Sequence, residues 1–224
     1  MSGKVLYILR HGQTEWNVAR RMQGRRDSPL TELGRIQADL HGRTLARQGR
    51  VEALIASPLG RTRATAELVN AHVCAPLRYE EALMERDCGA WSGLTLSEIE
   101  AAYPREWQAR GADPFHHRPP DGENLVDMET RITALLDDLV NAGERTLALI
   151  THGVMSRVII KRVLALSPAD AVTVRHPNEL FYRLEIKPSG RAGSAYYLEG
   201  QGPKPGLLRE NDSETIASPA RRRE

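Results

Sequence analysis

Cysteine is scarce in this chain, with only Cys74 and Cys88 among 224 residues. Two thiols cannot make the disulfide framework of a small secreted domain, so a reduced, cytoplasmic setting is expected. No apolar stretch approaches the length of a membrane span, and the N-terminal residues lead straight into an apolar strand rather than a signal peptide. The formal net charge is only +2, which exerts no strong pull toward nucleic acid or a membrane surface. Asn211-Asp212-Ser213 has the form of a glycosylation acceptor, without consequence in a reducing compartment. There is no Gly-rich Walker loop and no dinucleotide fingerprint. His116 and His117 are adjacent, so their rings diverge on any regular backbone and lack metal-ligand spacing. No cofactor and no metal is expected, and self-association into a homo-oligomer is compatible with the composition. With 41% hydrophobic and 27% charged residues, the length suits one α/β domain with a sizeable core.

What is present is more specific. Val5-Leu6-Tyr7-Ile8-Leu9 is a short apolar run suited to a strand covered on both faces. It delivers Arg10-His11-Gly12 at its carboxyl end, the edge where open α/β sheets bind ligands. A second run, Thr146 to Ile150, ends in Thr151-His152-Gly153 and repeats the pattern of strand, histidine and glycine. A third, Ala53-Leu54-Ile55-Ala56, ends in Ser57-Pro58-Leu59-Gly60-Arg61. Arginine suits phosphate or carboxylate, and histidine suits nucleophilic or proton-transfer chemistry. Taken singly, each motif has a plain alternative: a turn, a solvated arginine, a core histidine. Arg61 would also sit at a helix N-terminus, where a cation is disfavoured unless it has an anion to hold.

The joint occurrence resembles the histidine phosphatase (phosphoglycerate-mutase-like) superfamily. The matching stretches, in the family's order, are Arg10 to Asn17, Gln23 to Thr31, Ser57 to Ala66, Glu85 to Gly93, and Thr151-His152-Gly153. The resemblance implies a three-layer α/β/α sandwich with a mostly parallel sheet and an antiparallel edge strand. It makes His11 the nucleophile that carries the phosphoryl group and His152 a protonated second histidine donating to it. Glu85 would protonate the leaving oxygen and then activate water, a role that partial burial beside phosphate charge would assist. Arg10, Arg61 and Asn17 would hold phosphate oxygens, Gln23 would line the rim, and Gly12 and Gly153 would let backbone approach the ligand. Three departures stand out: Gln13 replaces a common glutamate, Cys88 a common aromatic, and Asn124 a common serine after Gly-Glu. None removes a group with a catalytic role.

Around these motifs the periodicity predicts helices over Glu32 to about Arg47, Arg61 to Cys74, Thr95 to Tyr103, a short piece from Pro104 to Gln108, Asn124 to Val140, Val154 to Leu166, and one opening at Ser167-Pro168. Thr31 and Thr95 are in N-cap positions, the latter with Glu98 at capping-box spacing. The helix from Val154 would point its positive end at the pocket. Leu77 to Tyr79, Leu180 to Ile186 and Ser194 to Leu198 read as further strands, and Ala112 to Glu123 as an irregular excursion. The domain is placed at 1–199. From Gly200 onward, Gly, Pro, Ser and charge dominate, which predicts a flexible tail over 200–224.

The expected partner is a small phosphorylated metabolite, with Arg110, His116, His117 and Arg118 as candidates for its non-phosphate end. Relatives that are mutases carry a longer insertion between the glutamate motif and the second histidine. Trp91 to Ile150 is compact, which favours a phosphohydrolase over a phosphoglycerate mutase. A non-catalytic phospho-ligand module would lack a histidine or the glutamate, and all three are present.

Overall fold

A computed structural model of the chain describes residues 3–187, 189–198, 202–210 and 212. Its strands are β1 (Lys4–Arg10), β2 (Ala53–Ala56), β3 (Leu77–Tyr79), β4 (Thr146–Thr151), β5 (Leu180–Ile186), β6 (Ala192–Leu198) and β7 (Lys204–Pro205). Its helices are α1 (Glu15–Val18), α2 (Glu32–Ala46), α3 (Gly60–Val73), α4 (Leu96–Ala102), α5 (Pro104–Ala112), α6 (Leu125–Asn141), α7 (Gly153–Leu164) and α8 (Pro168–Thr173). The strands form one sheet in the order β3-β2-β4-β1-β5-β6-β7. β1, β2, β3 and β4 run parallel, and β5, β6 and β7 continue antiparallel. The antiparallel part is therefore three strands wide rather than one edge strand.

Alternation along β1 explains the layers. Leu6 and Ile8 face a core shared with Met128, Ile132 and Leu136 of α6 and Met155, Val158 and Ile159 of α7. Tyr7 and Leu9 face the opposite core, with Leu45 of α2 and Ala66 and Val69 of α3. A strand buried on both faces has no polar side to show, which is why the run lacks hydrophilic alternation. Helix starts follow local chemistry. Thr31, Thr95, Asn124 and Ser167 each accept a hydrogen bond from a first-turn backbone N–H, with reciprocal capping boxes at Thr95–Glu98 and Asn124–Asp127. α1 was not anticipated. Four residues are too few for periodicity to register, yet Thr14 and Asn17 close a capping box around it.

The C-terminal expectation needs correction. The described part of the segment beyond residue 200 packs on the domain. β7 pairs with β6, Leu208 is 1% exposed within the larger core, and its carbonyl accepts from Arg175 N at 2.9 Å. Leu207-Leu208 supplies apolar surface that the surrounding Gly, Pro and charge masked in a compositional reading. The arginines at 221–223 lie outside the described residues. Among the described residues no helix is long and apolar enough to cross a membrane, and no group of three or more His, Cys, Asp or Glu side chains could hold a metal ion.

α2 carries a buried histidine, His41, 3% exposed and edge-on to Phe181 at 5.4 Å. Burial pushes its pKa down to about 4, so the folded state resists a proton that the unfolded chain accepts near pH 6.5. The resulting cost is absent above pH 6.5 and grows as pH falls toward 4. Replacing it with leucine should remove roughly 2–3 kcal/mol of the stability lost between pH 7 and 4.5. Urea unfolding at the two pH values checks this, and an unchanged acid limb in His41→Leu would contradict it.

Candidate active site

β1 and β4 lie side by side with Arg10 opposite Thr151. The residues that follow, His11 and His152, therefore emerge together at one sheet edge. Their ring centroids are 5.3 Å apart at 59°, and His11 N donates to Thr151 O at 3.0 Å. Both rings are buried. His11 Nδ1 lies 2.8 Å from Gly12 O. A carbonyl can only accept, so Nδ1 carries the proton and Nε2 keeps its lone pair. Burial, with the Arg61 and Arg10 charges, holds the His11 pKa well below its usual value. The His11 ring is therefore neutral at physiological pH.

His152 contacts Ser57 Oγ through Nε2 at 2.8 Å, while its buried Nδ1 has no partner among the described residues. Burial and the charges of Arg61, His11 and Arg10 also drive its pKa far down. The protonated state expected for His152 is thus not its state in the protein alone; it requires an anion beside it.

Arg61 opens α3 and is 2% exposed. Its guanidinium donates to Gly24 O at 2.8 Å, Arg26 O at 2.7 Å and Asp27 Oδ1 at 2.8 Å. Asp27 also accepts from Gly60 N at 2.7 Å and Arg61 N at 3.3 Å. Leu59, at the N-cap, has no side-chain acceptor, so a carboxylate 33 residues upstream of Gly60 caps the helix and offsets the cation at its positive end. Arg10 NH1 is anchored to His176 O at 2.7 Å.

Glu85 reaches α7, where its two carboxylate oxygens accept from Val154 N and Met155 N, each at 3.1 Å. A third bond comes from Arg86 N at 2.9 Å. The positive end of α7, expected to face ligand phosphate, is occupied by this carboxylate, and the macrodipole holds Glu85 in place. The loop after Glu85 is pinned by Glu123, which accepts from Asp87 N at 2.9 Å, Arg25 at 2.9 Å and Arg131 at 3.0 Å.

Arg10, His11, Asn17, Gln23, Arg61 and Glu85 line one lobe of a cleft, about 160 Å³ in volume. Asn17 spends its Oδ1 on Thr14 N at 3.1 Å; its amide nitrogen has no partner among the described residues. Gln23 donates to Thr14 Oγ1 at 2.8 Å, and so braces the loop as well as lining it. Cys88 also lines this lobe, and burial raises its thiol pKa. Two of the glycines also have packing roles, and Gly153 lines the cleft as well. Gly12 N donates to Thr65 Oγ1 at 3.1 Å, and a Cβ there would stand 2.1 Å from Gly34 O. Its lack of a side chain lets β1's end pack on α2. At Gly153 a Cβ would meet the Arg10 guanidinium at 3.3 Å, so this glycine makes room for the arginine.

Of the residues suggested for the far end of a substrate, His116 pairs with Asp113 and Arg118 with Asp127 at the exposed surface. Arg110 lies over the Trp107 ring and His117 stacks on Trp91. None of the four lines the cleft. Arg86, 4% exposed, does line it, although the sequence reading passed over it as part of a loop motif.

With this geometry in hand, comparison with known proteins is decisive. The model of the histidine phosphatase superfamily, branch 1, matches residues 6–197. The chain belongs to that superfamily. It is 32% identical over 204 residues to a probable phosphoglycerate mutase GpmB of Yersinia pestis (strain Pestoides F), covering 88% of this chain and 92% of that protein. A solved structure titled mycobacterial hydrolase 1 superposes with a TM-score of 0.80 at 28% identity, covering 89% of this chain and all of the other (100%). A mycobacterial glucosyl-3-phosphoglycerate phosphatase complexed with VO3 gives a TM-score of 0.75 at 29% identity over 90% of this chain and 100% of that one. Membership in this superfamily makes phosphoryl transfer the chemistry to which the cleft belongs.

The bracing of Arg61 by Asp27 yields a prediction. Asp27→Ala should lower kcat/KM toward p-nitrophenyl phosphate by roughly ten- to hundred-fold, because the guanidinium loses one charge-assisted bond and α3 its cap. The stability loss should be about 1 kcal/mol. Steady-state kinetics with thermal unfolding checks both, and full activity in the variant would show that the Gly24 and Arg26 carbonyls suffice.

Proposed function

We propose that the protein is a metal-independent phosphohydrolase that acts on a small phosphomonoester through a phosphohistidine on His11. The observation that carries this reading is the neutral His11 ring, its Nδ1 proton held by Gly12 O and its Nε2 lone pair left for attack, in a cleft also lined by Arg10 and Arg61. Arg10 and Arg61 supply the positive charge that a transferring phosphoryl group needs.

Nε2 of His11 attacks phosphorus in line with the ester oxygen. The P–O bond to the alcohol breaks, and the departing alkoxide takes a proton from the Glu85 carboxyl group. His152 takes up a proton from solvent as the phosphate dianion arrives, keeps it while its N–H donates a hydrogen bond to a phosphoryl oxygen, and returns it to solvent when phosphate leaves. In the second half, the Glu85 carboxylate removes a proton from water. The hydroxide forms a new P–O bond, the P–N bond breaks, and inorganic phosphate leaves with His11 restored. Asn17 adds a neutral donor to the phosphoryl oxygens, and Gln23 keeps the loop that bears it in register. Glu85 lies on the α7 side of the lobe, held through its bonds to Val154 N and Met155 N.

The second reading is a phosphoglycerate mutase, favoured by the name of the Yersinia relative. A mutase must keep water from phosphohistidine and hand the group to a bound hydroxyl. Hydrolysis is supported by the segment 113–124, which is short and tied back on α6 through Arg118–Asp127 and Glu123–Arg131. Among the described residues, none of that segment lines the cleft, so water has a path. Incubation with 3-phosphoglycerate and catalytic 2,3-bisphosphoglycerate, alongside a panel of other phosphomonoesters, separates the readings by phosphorus NMR. Inorganic phosphate from at least one ester, with little 2-phosphoglycerate, is expected. Rapid 2-phosphoglycerate formation without phosphate release would establish the mutase instead.

A further inference from the structure

The cleft has a second lobe, about 330 Å³ in volume, that shares the walls Arg10, Glu85 and Val154 with the first. Its remaining lining includes Arg157, Arg175, His176 and Asn178. The phosphoryl chemistry above uses none of these four. At roughly 300 Å³ and above, a pocket is in the range that holds a small metabolite, whereas one phosphoryl group needs only the first lobe.

Arg157 is the informative residue. It lies four positions after Gly153 on α7, so it shares the helix face that meets Arg10, and helical side chains lean back toward the N-terminus. Its neighbours in sequence, Met155, Ser156, Val158, Ile159 and Ile160, are all buried. Arg157 is half-buried among them and stands in the wall of the second lobe. Its Nε is buried without a hydrogen-bond partner among the described residues. The carboxylates whose charge reaches it are Glu85 and Glu210. Glu85 already spends its oxygens on backbone N–H groups. Glu210 is delivered from the C-terminal segment, where its N–H donates to Thr173 O at 3.1 Å, and its charge also reaches Arg110. Arg175 stands on the rim, its backbone bound to Leu208. Asn178 is locked to His11 O at 2.8 Å, which ties this lobe rigidly to the nucleophile.

We propose that this second lobe binds a further anionic group of the substrate through Arg157 and Arg175, and so selects phosphomonoesters that carry a carboxylate or a second phosphate. Arg10, common to both lobes, then stands between the two anions. This rests on the phosphohydrolase reading of the first lobe and adds to it a substrate class and the residues that choose it.

The test compares three probes of similar length: 3-phosphoglycerate, propane-1,3-diol bisphosphate, and glycerol 3-phosphate, which lacks the second anion. Turnover is measured with the full chain and with Arg157→Met, Arg157→Lys and Arg175→Gln. Binding to a His11→Gln chain, which cannot accept the phosphoryl group, is followed by calorimetry. At least one of the two probes with a second anionic group should exceed glycerol 3-phosphate by about ten- to hundred-fold in kcat/KM and in affinity, the scale of a charge-assisted pair. Whichever probe leads identifies carboxylate or phosphate as the second group. Arg157→Met should cost that probe at least about ten-fold more than it costs glycerol 3-phosphate, with Arg157→Lys between. No preference in the unmodified chain, or a preference that survives both Arg157→Met and Arg175→Gln, overturns the proposal while leaving the phosphohydrolase standing. If no probe binds and none is turned over, the reading of the first lobe fails and this proposal fails with it.

Discussion

Buried positive charge beside two histidines that are neutral in the absence of a ligand is the constraint on which this molecule is built. Arg10, Arg61, Arg86 and Arg157 each bury an Nε that has no partner among the described residues. The His11 and His152 rings, also buried, are forced to low pKa by the same desolvation and by the Arg10 and Arg61 charges. Cations and uncharged imidazoles support one another here: the arginines suppress protonation of His11 and His152, and the neutral rings add no repulsion between the arginines. Arg10 itself has its pKa lowered to about 10, mainly by burial, and remains charged at any physiological pH. Such a site is stabilised by an arriving anion more than by any protein group it contains.

The sheet makes the constraint sustainable. Because β4 lies next to β1 in parallel register, two separate stretches of sequence bring Arg10-His11 and His152 to one edge. β2, on the other side of β4, adds Ser57 and the start of α3. Each charged side chain is then fixed from outside the strands. His176 and Gly24 carbonyls hold the arginines, Asp27 holds Arg61 and caps α3, and α7 grips Glu85 by its first-turn N–H groups. The side chains that line the cleft are anchored to backbone groups, so little freedom would be lost when a phosphate binds.

Much of this was legible in the sequence, and the exceptions have a common cause. The strand-histidine-glycine repeats, the amphipathic α6 and the side-chain caps at Thr31, Thr95 and Ser167 are local patterns, and the structure carries them at those places. What escaped depends on partners distant in sequence. The packing of Gly12 on Gly34 is invisible from its own neighbourhood. Asp27 gave no sign that it would cap a helix beginning at Gly60. The positive end of α7 looked like a phosphate site, because nothing local shows that Glu85 fills it. Leu208 sits in a stretch whose composition reads as tail, yet two adjacent leucines sufficed to draw it into the core. Arg157 was hidden for another reason: inside a helical pattern, a single arginine reads as a solvent-facing position until the cleft it lines is known.

The account depends above all on His11 acting as the covalent carrier. The most direct measurement is rapid quenching into alkali of the chain mixed with a phosphorus-labelled phosphomonoester, followed by peptide mapping. The account predicts acid-labile, alkali-stable label on the peptide that contains His11, at a level approaching one phosphoryl group per chain when water attack is slow, and no label in His11→Ala. Label on another residue, or sustained turnover by His11→Ala, would contradict it.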